Sequence, residues 1–441
     1  MLKKLDFDRL PVIEIVNEIL LDAAKRGASD IHFDPLDNFL RIRIRIDGLL
    51  MDYSEVPNTN KNNLITRIKI LAGMNITETR LPQDGAIKTT LEDMSLDMRV
   101  SVLPTNKGEK IVIRILDYSL SLNGIENLGF SENNYKKIIQ MVNEPNGIIL
   151  VTGATGSGKS TTVYAMLQRL NKEEINIVTV EDPVEMDIEG INQVQTNSEI
   201  GLTFANALRS ILRQDPNIIM IGEIRDSETA KIAVRASITG HLVLSTIHTN
   251  NSLNTIERLL DMDVEKYLLA SSLTGIVSQK LARKLCPNCK TKRRTNDYEK
   301  DLLNKVLHRD ITSVYTAEGC EKCSDGYIGR IAIHEVLLIN QDIRDALSNN
   351  ISKEKLRDLV YTTDVTTMLQ DGLEKAVSGE TTIEEVLKII ELDEDENLID
   401  DNEFTKHSDS INLARVLQEK ENKTENEIKT LSDLVKNSYR N

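Results

Sequence analysis

Residues 153–160 read GATGSGKS, which fits G-x-x-x-x-G-K-[ST] between the apolar run GIILVT and a helical stretch, the context that a phosphate-binding loop requires. Gly153, Gly156 and Gly158 allow backbone N–H groups to curl around phosphate oxygens, and the helix N-terminus adds partial positive charge. Lys159 is expected to reach the β- and γ-phosphates and Ser160 to place its hydroxyl on Mg²⁺. Ala154, Thr155, Ser157 and Thr161 complete the expected nucleotide-binding set. The loop alone promises only a bound nucleoside triphosphate, taken as ATP; hydrolysis needs acids placed opposite it.

Two acidic clusters follow apolar runs. NIIMIGEIRD at 217–226 leads to Glu223, placed to hold Mg²⁺ or its water, and VTVEDPVE at 178–185 leads to Glu181, Asp182 and Glu185. Any of the latter could orient or deprotonate an attacking water, and the sequence leaves open whether Glu181 or Glu185 is the base. An acid at a strand end is otherwise a helix cap or a surface charge, a reading that two such clusters after one phosphate loop weaken. His248 closes the run LVLSTIH, on the edge of a parallel sheet that faces a nucleotide. It reads either as a structural hydrogen-bonding residue or as a sensor of the γ-phosphate.

All four cysteines lie in LCPNCK and GCEKCSDG, as Cys286, Cys289, Cys320 and Cys323, two C-x-x-C pairs with thirty residues between them. The gap exceeds that of a short zinc ribbon, yet four thiolates at these spacings suit tetrahedral Zn²⁺ with no open position, hence a structural ion. Redox pairing or unliganded thiols are the competing readings.

Short, wholly apolar runs (GIILVTG, INIVTVE, NIIMIGE, HLVLSTIH) alternate with helical stretches over 131–275, which predicts a parallel sheet covered on both faces. Upstream, PVIEIVNEILLDAAKRG at 11–27 predicts a capped amphipathic helix. RIRIRIDGLL at 41–50 predicts a strand with Arg41, Arg43 and Arg45 on a solvated face and Ile42, Ile44 and Ile46 on the other, turning at Asp47-Gly48. A second helix near 60–72 and strands at 95–103 and 110–116 complete an α+β domain over 1–116. Residues 117–130 read as a linker, 131–390 as the nucleotide-binding domain with the cysteine subdomain at about 280–335, and 391–441 as an acidic linker and helical tail. The stretch 391–403 holds eight acids and no basic residue, as solvated linkers do. Beyond it, Leu413, Val416 and Leu417, then Ile428, Leu431, Leu434 and Val435, have helical spacing and read as a plain tail or a docking helix.

A chain of 441 residues implies two to four domains. Lys and Arg number 54 against 69 Asp and Glu, a balance of −15, while aromatics are 4% and Trp is absent, so nucleic acid is not expected as a direct partner. No run of about 18 apolar residues occurs, so neither a membrane span nor a signal peptide is expected, and the chain is read as cytoplasmic, where structural disulfides are rare.

Four stretches resemble, in order, those of the secretion ATPases of type II secretion systems and type IV pilus assembly. They are the phosphate loop; EDPVE, similar to that family's aspartate box; LRSILRQDPNIIMIGEIRD, similar to its atypical Walker B segment; and TGHLVLSTIHTN, similar to its histidine box. ASDIHFDP, RIRIDG, RLPQDG and GEKIVIRILD look like the preceding domain of the same family, and the likeness covers about residues 11–390. The resemblance implies a RecA-like ATPase core with a parallel sheet, preceded by a smaller PAS-like α+β domain. It implies a homo-hexameric ring in which that domain packs on the neighbouring core, peripheral at the cytoplasmic face of the inner membrane. There ATP hydrolysis drives ring motions on an inner-membrane platform protein that feeds pilin-like subunits into a filament. It further implies Arg80, Arg99 and Arg114 as phosphate contacts across or within subunits, with Arg209, Arg213 and Arg225 linking neighbouring sites. Arginine suits both tasks because its charge is permanent and its fork grips two oxygens. The four-Cys element is frequent in assembly ATPases and generally lacking in retraction ATPases, which implies extension of a filament.

Three departures stand out. Asn217 replaces the family's usual Asp while Asp215 is retained, and His334 stands where Tyr is more usual. The likeness begins almost at Met1, from which the family's N-terminal docking domain is expected to be missing and recruitment to fall to another surface such as the tail. Two rivals stay open: a motor for DNA uptake or type IV secretion, and a nucleotide-gated hexameric scaffold with little turnover.

Overall fold

The computed structural model describes residues 3–7, 9–116, 124–349, 351–362 and 364–390. The expected acidic linker and tail at 391–441, and 117–123 of the expected linker, lie outside those residues.

The N-terminal quarter comprises α1 (Val12–Lys25), β1 (Ala28–Pro35), β2 (Phe39–Ile46), β3 (Leu49–Pro57), α2 (Asn58–Leu71), β4 (Gln83–Leu91), β5 (Met94–Thr105) and β6 (Gly108–Leu116). Its strands form one sheet in the order β3-β2-β1-β6-β5-β4, each neighbouring pair antiparallel. Alternation sends Ile31, Phe33, Ile42, Ile44 and Ile113 to one face, where they bury against Ile15, Ile19, Leu64 and Ile68 of the two helices. The opposite face differs from the solvated basic surface that β2 alone predicts. β1 sets Asp30, His32 and Asp34 nearly opposite Arg45, Arg43 and Arg41, so charges pair across strands. Arg43 donates to Asp34 at 2.7 Å, Lys110 pairs with the same carboxylate, and Arg114 donates to Asp30 at 3.0 Å. Burial would raise the Asp34 pKa, but the Lys110 and Arg43 hydrogen bonds outweigh it and hold the carboxyl below its ordinary value.

The rest runs α3 (Glu132–Val142), β7 (Gly147–Thr152), α4 (Lys159–Leu170), β8 (Ile177–Glu181), β9 (Asn192–Gln195), α5 (Phe204–Ile211), β10 (Ile218–Ile221), α6 (Ser227–Ile238), β11 (Leu242–Ile247), α7 (Ser252–Asp261), α8 (Lys266–Ser272) and β12 (Leu273–Leu285). It continues through β13 (Lys290–Arg294), α9 (Asp297–Leu307), β14 (Ser313–Ala317), β15 (Tyr327–Leu338), α10 (Gln341–Ser348), α11 (Lys353–Thr362), α12 (Met368–Val377) and α13 (Ile383–Ile390). The main sheet has the order β15-β12-β7-β11-β10-β8-β9, parallel throughout except where β15 pairs antiparallel with β12.

β7 shows why its run is wholly apolar. Ile148 and Leu150 pack into one core with Leu208, Val234 and Ile256, while Ile149 and Val151 pack into another with Met141, Val163 and Met166. β12 and β15 extend as a two-stranded arm, and the two C-x-x-C pairs sit at its far end around the β13–β14 hairpin. The upstream sheet touches the rest through Arg99, which donates to Val184 O at 3.3 Å, and through Asp47, which accepts the Gly329 N–H at 2.8 Å. Among the described residues no helix is long and apolar enough to cross a membrane.

Lys69 of α2 is 1% exposed and donates to Glu109 Oε1 and to Glu78 O, both at 2.7 Å, pinning the loop that carries Arg80. Lys69→Ala strands Glu109 without its counter-charge and should cost about 3 kcal/mol, read as an earlier unfolding transition of the N-terminal part in urea.

Candidate functional site

β7 ends at Thr152, and the chain must then turn sharply to enter α4. Gly153 makes the turn with φ +149, where a Cβ would stand 2.4 Å from Gln279 O; Gly158 starts α4 with φ +89. Ala154, Thr155 and Gly156 form the exposed tip, Ser160 and Thr161 are half-buried in the first turn of α4, and Ser157 is buried. The Ser157 hydroxyl has no partner among the described residues, the kind of orphan polar atom that a phosphate oxygen suits. Lys159 is 9% exposed and its ammonium donates to Gly153 O at 2.8 Å and Ala154 O at 3.1 Å. Burial lowers its pKa, and the charges of Glu223 and Glu185 partly oppose that.

β10 and β11 run parallel with Ile221 opposite Ser245, so the residues just past their ends reach one edge together. Glu223 and His248 meet there, His248 Nε2 lying 3.3 Å from Glu223 Oε2. Arg225 grips the other carboxylate oxygen and also lies 3.6 Å from Asp182. Burial would raise the Glu223 pKa; the Arg225 hydrogen bond and charge, with His248 and Lys159 behind them, overcome it and keep the carboxyl below its ordinary value.

The two other acids separate in space. Glu181 is 3% exposed, with Oε1 accepting from Thr179 at 2.6 Å and Gln193 at 3.1 Å and Oε2 from the Tyr164 hydroxyl. Glu185 lies half-buried in the loop beyond β8, beside Val184 whose carbonyl takes the Arg99 hydrogen bond. Of the upstream arginines, Arg99 thus reaches this loop and Arg114 is its register partner on β6, held by Asp30. Arg80 is exposed and pairs with Glu78 at 2.9 Å. Arg209 pairs with Glu228, and Arg213 donates to Arg209 O at 2.7 Å on the outer face of α5.

Gln279 was not singled out by any motif. It sits in β12 beside the loop, 1% exposed, donating to Ser157 O at 2.7 Å and accepting from Thr162 at 2.8 Å, so it ties the middle of the phosphate loop to the first turn of α4. The sequence offers little signal for it, since it lies between Ser278 and Lys280 in the mixed run LTGIVSQKLARKL. Asn217 keeps a local task, accepting the Asn176 N–H at 2.7 Å, and His334 is wholly buried with its ring stacked on Phe130 at 3.8 Å.

The four thiols converge. Sulfur separations of 3.9 Å (Cys286–Cys320), 3.6 Å (Cys289–Cys323) and 3.5 Å (Cys320–Cys323) bracket the edge of about 3.8 Å expected for a tetrahedron with zinc–sulfur bonds of about 2.3 Å. All four ligand atoms lie within 4.8 Å of one another. The residues therefore fit a closed Zn²⁺ site.

A glycine-rich loop at the C-terminal edge of a parallel sheet, backed by acids from neighbouring strands, defines an α/β P-loop nucleotide-binding fold with a smaller α+β unit upstream. The chain belongs to the family described as type II/IV secretion system protein, whose profile matches residues 6–388. It is 45% identical to type II secretion system protein E of Dickeya dadantii over 383 residues, covering 87% of this chain and 76% of that protein. It is 43% identical to type II secretion system ATPase E of Vibrio cholerae, with 87% and 76% covered. Among solved structures it is similar to the pilus retraction motor PilT with bound ADP (TM-score 0.60, 25% identity, 87% and 98% covered). The Legionella pneumophila ATPase DotB shares the fold (TM-score 0.67, 21% identity, 89% and 99% covered).

Metal analysis of the purified full chain should find about one zinc per chain, and stripping it should lower the unfolding temperature; a metal-free protein that melts unchanged would reject the four-thiolate site.

Proposed function

We propose that the chain is a Mg²⁺-dependent ATP hydrolase that works as a homo-hexameric motor in assembly of a type II secretion pseudopilus or type IV pilus. The observation that carries this reading is a buried Lys159 inside a glycine-rich phosphate loop, at the sheet edge where Glu223 and His248 meet, in a family whose relatives include a named type II secretion system ATPase. Backbone N–H groups of residues 153–161 and the start of α4 cradle the β- and γ-phosphates, and Lys159 neutralises them. Ser160 and Glu223 would hold Mg²⁺, which when bound spreads the developing charge of the transferred phosphoryl group.

Glu185 takes the proton of the attacking water in this reading. Glu181 is less suited because each of its oxygens is already committed to buried donors. His248, whose Nε2 lies 3.3 Å from Glu223 Oε2, reports loss of the γ-phosphate to its strand. Arg99, with Arg114 and Arg80, contributes charge to phosphate from the upstream unit of the same or a neighbouring subunit. The zinc site stiffens the end of the β12–β15 arm. Work is delivered to an inner-membrane platform protein from the cytoplasmic face, without direct contact to nucleic acid.

The test is Mg-ATPase rate against protein concentration, with molecular mass measured on the same samples. Specific activity should climb as hexamers form and collapse in Lys159→Ala; hexamers without turnover would overturn the motor. Glu223→Gln and Glu185→Gln should each lower kcat about 100-fold or more while ATP still binds, whereas Glu181→Gln should chiefly lower thermal stability.

A further inference from the structure

Tyr164 stands on the second turn of α4, 1% exposed, one of the largest fully buried side chains of the molecule. A buried phenol needs a partner for its hydroxyl, and this one serves three groups at once. It donates to Glu181 Oε2, and it accepts the backbone N–H groups of Glu185 at 3.2 Å and Met186 at 3.4 Å. Burial and the Glu181 charge push the phenol's pKa up, so it remains a donor at every working pH.

The acceptor is itself fixed. Thr179 and Gln193 hold the other Glu181 oxygen, and Gln193 also donates to Met186 O at 2.9 Å and accepts from Ile188 N–H at 2.8 Å. Residues 182–188 have neither helix nor strand, so no backbone ladder sets the shape of the loop that carries Glu185. α4, in contrast, begins at the phosphate loop and is rigidly packed on the sheet. The phenol joins these two bodies.

We propose that Tyr164 is a positioning residue for hydrolysis, its hydroxyl fixing the Glu185 loop relative to the phosphate loop so that one side chain aligns the base with the γ-phosphate. The proposal rests on Glu185 as the base. Misplacement of such a group by a fraction of the water–phosphorus distance costs rate without costing affinity, because the phosphate loop is unchanged.

The experiment is a double-mutant cycle in the full hexameric chain with Tyr164→Phe and Glu185→Gln, reading kcat and the ATP dissociation constant, together with hydrogen exchange resolved at residues 185 and 186. Tyr164→Phe should lower kcat about 10- to 100-fold, leave ATP affinity within about threefold, and speed exchange at 185 and 186 but not at 153–161; added to Glu185→Gln it should cost nothing more. An unchanged kcat, or an equal loss in both backgrounds, overturns the positioning role while leaving Glu185 in place. Full turnover in Glu185→Gln overturns the base assignment itself. Should Tyr164→Phe fail to fold, the wild-type chain still decides, since rapid exchange at 185 and 186 would show that the hydroxyl does not hold them.

Discussion

The parallel hydrogen-bond ladder through β7, β11, β10 and β8 is the constraint on which the site depends. Gly147 lies opposite Leu242, Leu242 opposite Ile218, and Ile218 opposite Ile177, so the four strands start level. Parallel strands of similar length that start level must also end level. Their C-terminal residues therefore leave the sheet along one edge, and the phosphate loop, the Glu181–Glu185 loop, Glu223 and His248 come together although up to a hundred residues separate them in the chain. A slip of one residue in any strand would turn its side chains to the other face. The two cores prevent this, since Ile148 and Leu150 belong to one and Ile149 and Val151 to the other.

A ladder fixes strand ends, but it leaves the loops beyond them to be shaped by side chains. Thr152 donates to Thr249 O at 2.7 Å, tying the end of β7 to the segment after His248. Thr246 donates to Gly222 O at 2.7 Å, tying β11 to the turn before Glu223. Gln279 closes the phosphate loop from β12. These short hydroxyl and amide bonds are buried or partly buried, where each is stronger than in water and costly to leave unmade.

What was legible in the sequence was local. The phosphate loop is a contiguous motif, buried parallel strands announce themselves as apolar runs, and an acid just past such a run has a defined position before any partner is known. Cysteine type and spacing likewise pointed to one site across a gap of thirty residues. Pairing between distant strands was not legible. The Arg41–Arg45 face looked solvated because its neutralising partners, Asp30 and Asp34, lie on a strand whose register with β2 no local pattern announces. β4 (QDGAIKTTL) escaped because it alternates weakly and carries glycine. Gln279 and Tyr164 escaped for a related reason: each looks like an ordinary core position until the loop it touches is folded against it.

The three acids show how one charge type is divided by its surroundings. Glu181 lies deepest, and its burial is tolerable only because Thr179, Gln193 and Tyr164 supply hydrogen bonds to both oxygens. A carboxylate so satisfied has little left for water or metal. Glu223, 17% exposed, lies between Arg225 and His248, and against the cost of burial the Arg225 hydrogen bond and charge hold its carboxyl below its ordinary value. Glu185 is held through its backbone, by the N–H bond to Tyr164, and among the described residues no hydrogen bond or ion pair to its carboxylate is seen. A side chain that must exchange a proton gains from being fixed by its main chain, because every hydrogen bond to the carboxylate itself would lower its basicity. Among the described residues the Glu185 carboxylate is the least engaged of the three, which is the ground on which we propose it as the base.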